Sequence, residues 1–166
     1  MNYENNEKKE AIESETAKSF LKLYNSQFKT SFKVIEISDA PDVICQDTNG
    51  NELSLEITLS EDRAGDIEAQ LGRSKSRDID IMMEQNDIVD CLHERPSKII
   101  TERINKKIDK FYGRNVALVV RHASGTYWNW GLEVLKIKNS LDLPRFHFDK
   151  GIWIITNFKD RIWRVA

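Results

Sequence analysis

Asp42 and Glu56 are the two side chains in this sequence best spaced to share a cation. They bracket the run Asp47-Thr48-Asn49-Gly50-Asn51-Glu52, with Val43-Ile44-Cys45-Gln46 before it and Leu53-Ser54-Leu55-Glu56-Ile57-Thr58 after it. Asn-Gly between two such runs is a strong hairpin signal. If Thr48-Asn49-Gly50 form a three-residue loop with Gly50 left-handed at a bulge, Asp47 faces Asn51, Cys45 faces Leu53, Val43 faces Leu55 and Asp42 faces Glu56. Strand alternation then collects Val43, Cys45, Leu53, Leu55 and Ile57 on one face, and Asp42, Ile44, Ser54, Glu56 and Thr58 on the other. A two-residue Asn49-Gly50 turn shifts the register by one and sends the acids to opposite faces. The clean apolar set favours the bulged loop.

Opposed carboxylates repel. They persist where a cation lies between them or where one holds a proton. Hard oxygen donors suit Mg²⁺ or Mn²⁺, which normally keep several waters. Such a cation polarises a phosphate and activates a water for attack. The plainer alternative is a hairpin face of solvated acids.

Pro41-Asp42, a strand, a turn and Leu55-Glu56-Ile57-Thr58 resemble the core motif of the PD-(D/E)XK nuclease superfamily, which includes restriction endonucleases. That motif is an Asp, one hairpin, then Glu or Asp, any residue, and Lys. Asp42 matches the first acid and Glu56 the second, while Thr58 stands where the family has Lys. The resemblance implies a restriction endonuclease-like α-β-β-β-α-β core and a divalent-metal phosphodiesterase acting on DNA. It implies Asp42, Glu56 and the Ile57 carbonyl as metal ligands, and a homodimer where both strands are cut. A first-helix Glu often reaches the metal in this family, which points to Glu13, with Glu10 as runner-up. Thr58 lacks the charge of the motif Lys, so Lys75 or a basic residue of the helix following Ser97 is expected to supply it.

Several other classes are excluded or disfavoured. A formal net charge of -2 argues against a non-specific DNA coater. Two cysteines, Cys45 and Cys91, form no metal-like cluster and no disulfide scaffold, and suit a reducing cytoplasm. No apolar stretch is long enough to span a membrane, and Met1 to Glu10 does not resemble a signal peptide.

A chain of 166 residues suits one domain with a real core. Residues 1–6 read as disordered. Ile12, Thr16, Phe20 and Leu23 recur at helical spacing within Glu7 to Gln27, and Glu13 lies on the inward side with Ala17, Phe20 and Tyr24. Phe32 to Ile37 reads as a strand covered on both faces, and the hairpin follows. Residues 60–96 read as an irregular helical insertion carrying Arg63, Arg73, Lys75 and Arg77. Ser97 reads as an N-cap. Ile100, Ile104, Ile108 and Phe111 form the apolar stripe of the helix it starts, Lys106, Lys107 and Lys110 its outer face, and Gly113 its end. Val116 to Val120 is a buried strand, expected parallel to the Leu55 strand. Leu132 to Ile137 is a short helix or strand, and Gly151 to Asn157 with Arg161 to Val165 is a final hairpin. The expected class is α/β, a central mixed sheet flanked by helices, with extra C-terminal strands.

Three functions compete: the nuclease, a catalytically degenerate version serving as a nucleic-acid- or protein-binding module, and an interaction protein using Tyr127 to Trp130. The isolated His122 and His147 receive no role.

Overall fold

A computed structural model describes residues 3–62, 95–124, 128–142, 147–156 and 159–166. Its centre is a six-stranded mixed sheet in which spatial order follows chain order. β1 (Lys33–Ile37), β2 (Val43–Gln46) and β3 (Glu52–Glu61) pair antiparallel. β4 (Val116–Ala123) and β5 (Ile152–Thr156) continue from β3 in parallel. β6 (Ile162–Arg164) returns antiparallel to β5. Helices α1 (Tyr3–Phe28), α2 (Arg95–Ile108) and α3 (Trp130–Ser140) flank the sheet.

The alternating residues of the central strands build two cores. Val43, Cys45, Leu53, Leu55, Ile57, Ala117, Val119 and Trp153 pack under Ala17, Phe20 and Leu21 of α1. Val116, Leu118, Val120, Ile152 and Ile154 pack on the opposite face, under Ile100, Ile104 and Ile108 of α2 and Val134 and Ile137 of α3. β4 is buried along its whole length: Val116–Val120 is an unbroken apolar run, and Arg121 and His122 beyond it are buried as well. The sheet is therefore covered on both sides, and a polar side chain at its centre must find its partner within the protein.

The hairpin has the bulged loop. Val43 pairs with Leu55, Cys45 with Leu53 and Gln46 with Glu52. Asp47 N–H donates to the Asn51 carbonyl at 3.0 Å. Gly50 has φ +82°, the left-handed conformation that a glycine adopts without a Cβ penalty. The Asp47 carboxylate fastens the loop by accepting from Asn49 N–H, Asn51 N–H and the Asn51 side-chain amide at 2.8–2.9 Å.

Four local expectations change and one open alternative is resolved. α1 begins at Tyr3, so helix extends into the stretch 1–6 expected to be disordered. β1 is an edge strand with Ile35 and Ile37 exposed, so it is not covered on both faces. α2 starts at Arg95, which puts Pro96 and Ser97 in its first turn, where a proline's missing N–H costs nothing. The same helix ends at Ile108, so Phe111 leaves the helical register and is 73 % exposed instead of completing the stripe. Residues 132–137 lie within helix α3, whose N-cap Asn129 accepts from Leu132 N–H. Most of the expected 60–96 insertion, including Lys75, lies outside the described residues, as does Cys91. No described helix is long and apolar enough to cross a membrane.

Candidate functional site

β2 pairing ends at Val43, the residue that follows Asp42. Ser54 N–H donates toward β4, to the Asn115 carbonyl at 2.8 Å, so the odd-numbered neighbours of β3 point their main-chain groups toward β2. Ile57 is thus left without a backbone partner on that edge. The Asp42 carboxylate takes the place of the missing strand residue and accepts from Ile57 N–H at 2.7 Å. The register brings Asp42 opposite Glu56, and both are almost fully buried, at 4 % and 2 % exposure.

Lys107 reaches Glu56 from α2, its Nζ donating to Oε1 at 2.5 Å. The other carboxylate oxygen of Glu56, Oε2, is buried with no hydrogen-bond partner among the described residues. The Lys107 ammonium also lies 5.8 Å from the centre of the Tyr112 ring. Glu13 of α1 is equally buried, and Lys9 one turn earlier pairs with it at 3.2 Å. Lys9 and Glu13, with Glu10, line a hollow of about 380 Å³ whose other wall is Glu36, Ile37, Ser38 and Asp39 at the sheet edge.

The acids feel one another. Burial pushes the Asp42 carboxyl up to about 6; the Ile57 hydrogen bond opposes this, and the charges of Glu56 and Glu13 add to it. Burial also raises Glu13, against the pull of Lys9 and with the push of Glu56. Burial works to lower Lys107, but its contact with Glu56 outweighs that and raises it, so the ammonium stays charged. Tyr112 is raised by burial and by the Glu56 charge. The arrangement is three buried carboxylates with two ammonium groups, with a proton available to Asp42 near pH 6.

The donor set suits a hard cation. Asp42, Glu56 and the Ile57 carbonyl offer oxygen only, and the unpartnered Glu56 Oε2 is an acceptor with unused capacity. Among the described residues no group of three or more His, Cys, Asp or Glu side chains is arranged to hold a metal. Two carboxylates, a carbonyl and waters are nonetheless an ordinary complement for Mg²⁺.

Of the residues singled out from sequence, the structure brings Asp42, Glu56 and Glu13 together. Thr58 is buried two residues beyond Glu56 on the same strand face, with no hydrogen bond to the acids. Glu10 is exposed in the adjoining hollow. Lys107, expected on the outer face of α2, instead points inward. Ile100, Ile104, Lys107 and Phe111 follow helical spacing, which puts the lysine at the apolar stripe or on its margin without saying which. Lys9 was missed, though its i,i+4 spacing to Glu13 carried the signal. Tyr112 had no sequence signal.

His122 and Trp128 fall into place as structure. His122, fully buried, bonds Ser60 through Nδ1 and Asp62 through Nε2, both at 2.9 Å. Ser124 and Trp128 also donate to Asp62. Burial works to raise the Asp62 carboxyl, but these bonds, His122 first, hold it below its ordinary range. The network ties the ends of β3 and β4 and includes an internal hydrogen bond from Trp128. Cys45 is a core thiol, pushed up to about 12 by burial and so unreactive.

No protein family, curated protein or solved structure matches this chain.

Proposed function

We propose that this protein is a divalent-metal-dependent nuclease that cleaves DNA at the site formed by Asp42, Glu56, Glu13 and Lys107. The single observation that carries the reading is the Lys107–Glu56 contact. It supplies, from α2, the positive charge missing at Thr58. Asp42, Glu56 and the Ile57 carbonyl would hold Mg²⁺ or Mn²⁺. When bound, that cation supplies Lewis-acid polarisation of a phosphate oxygen and acidifies a water.

The chain's own residues do the rest. The Lys107 ammonium, held charged beside Glu56, orients the nucleophilic water and offsets the negative charge that develops on the phosphate. Glu13, raised by burial, is placed to accept a proton from that water. Lys9 keeps Glu13 oriented toward the acids. Thr58 has no charged role.

The test is cleavage of linear, circular and branched DNA with Mg²⁺ and with Mn²⁺, comparing the native protein with Asp42→Ala and Glu56→Ala. Loss of cleavage in both folded variants is expected. Full activity in both would remove the proposal. A second reading, a catalytically degenerate module that binds nucleic acid or protein, is favoured by one observation: Lys107 already neutralises Glu56. Metal-independent binding without cleavage by any of these proteins would select it.

A further inference from the structure

The most exposed large apolar side chain among the described residues is Phe111, in the turn that follows α2. Its sequence neighbours Asp109, Lys110 and Arg114 are exposed and charged. Its ring meets the exposed His147 ring edge to face, with centroids 5.7 Å apart and planes at 87°. The two rings form a corner, one serving as wall and the other as floor. That corner borders a hollow of about 240 Å³ lined by Phe111, Gly113, Arg114, His147, Phe148 and Asp149. Gly113 lies at φ +103° with open space where a Cβ would stand, so the backbone leaves the hollow clear.

Arg114 and Asp149 both border the corner. The Asp149 carboxylate accepts from Asn115 N–H and Val116 N–H at 2.9 and 2.8 Å, which holds it against the backbone without removing its charge. Arg114 has no ion-pair partner among the described residues and is exposed. Flat aromatic surface next to an unpaired guanidinium matches a nucleotide: the base stacks and the phosphate takes the cation. A protein partner would instead call for contiguous apolar area around Phe111. The next residue, Tyr112, faces Lys107, so the corner lies one residue along the chain from the candidate site.

We infer that the Phe111–His147 corner is a subsite that stacks an unpaired base of single-stranded DNA, with Arg114 on the adjoining phosphate. The substrate class rests on the nuclease reading and narrows it to DNA with a single-stranded or unpaired segment. A duplex offers no free base face to the corner.

The test uses the full chain in EDTA, where no cleavage occurs, and a short fluorescein-labelled DNA single strand read by anisotropy. Phe111→Ala is expected to weaken binding about tenfold, Phe111→Trp to preserve it, and neither to change binding of a blunt duplex. At 73 % exposure the truncation removes no core contact. The same strand carrying iodouracil, irradiated, should crosslink to Phe111 or His147. Unchanged affinity in Phe111→Ala, equal losses on single strand and duplex, absence of single-strand binding, or crosslinks confined to other residues would overturn the subsite. The two readings separate cleanly. Phe111-dependent binding and crosslinking without cleavage in any metal leaves the subsite and removes the nuclease. Cleavage with unchanged Phe111→Ala affinity does the reverse.

Discussion

Lys107 and Glu56 are joined by a 2.5 Å ion pair across fifty-one positions of chain, one side chain from α2 and the other from the middle of β3. Glu56 is the more deeply buried partner and would be an uncompensated charge without it. Lys107→Met should therefore cost stability, on the order of 2 kcal/mol, read as a lower urea midpoint. It should also cut cleavage by about a hundredfold through loss of the charge at the reacting phosphate. Adding Thr58→Lys to that variant restores a positive charge on the same strand face and should recover part of the rate. Wild-type cleavage by Lys107→Met would remove the lysine from the reaction.

Asp42 predicts an unusual pH dependence. Its carboxyl titrates near 3.8 in the unfolded chain and about 6 in the folded protein, so between these values the folded state binds more proton. Stability from this group is therefore highest at low pH and falls as pH rises toward 6, staying low above it. Asp42→Asn removes the dependence. In the metal-free protein it should be more stable than wild type near neutral pH by about 1–3 kcal/mol, with the difference vanishing below about pH 4. Urea titrations at several pH values read this directly. A variant less stable at neutral pH would show that the Ile57 hydrogen bond dominates.

Divalent cation should stabilise the folded protein, because a ligand that binds only the native state raises its melting temperature. Mn²⁺ is expected to raise Tm for wild type and for Glu13→Gln, and to leave the Asp42→Asn, Glu56→Gln double variant unchanged. Glu13→Gln should lower the cleavage rate by ten- to a hundredfold while keeping the Mn²⁺ shift. A Tm shift of equal size in the double variant would place the cation elsewhere.

The register of the acids depends on the hairpin loop. Gly50→Ala forces a Cβ into φ +82°, where open space surrounds it, so the cost is backbone strain alone, about 1 kcal/mol. The loss should appear in urea denaturation with the register, and hence cleavage, retained. A gain in stability would mean that the loop relaxes to another turn.

How much of this was legible follows from the range of each signal. The hairpin could be read to the residue because alternation and a glycine at the turn are local and mutually constraining. The mixed sheet flanked by helices was legible for the same reason: β3, β4, β5 and β6 each declare themselves by short apolar runs. Asp42 and Glu56 followed from the hairpin, and Glu13 from its place on an amphipathic helix. Lys107 was not assigned, because nothing local distinguishes a lysine in an apolar stripe from one on its margin. Only the packing of α2 on β3 does so. Phe111 failed for a related reason: the stripe continued to it in sequence, but the helix stopped three residues earlier. Lys75 belongs to residues that are not described, and the structure says nothing of it.

A single lysine among isoleucines also fixes how α2 lies on the sheet. An all-apolar stripe can slide by a turn against a flat apolar surface at small cost, whereas here a slide strips Glu56 of the Lys107 ammonium and carries that charge onto Leu118 or Val120. Lys107 thus acts as a locating pin, as a lone polar residue does in a coiled-coil seam. On the proposed reading, chemistry and helix register hang on one nitrogen, so neither can be altered without disturbing the other.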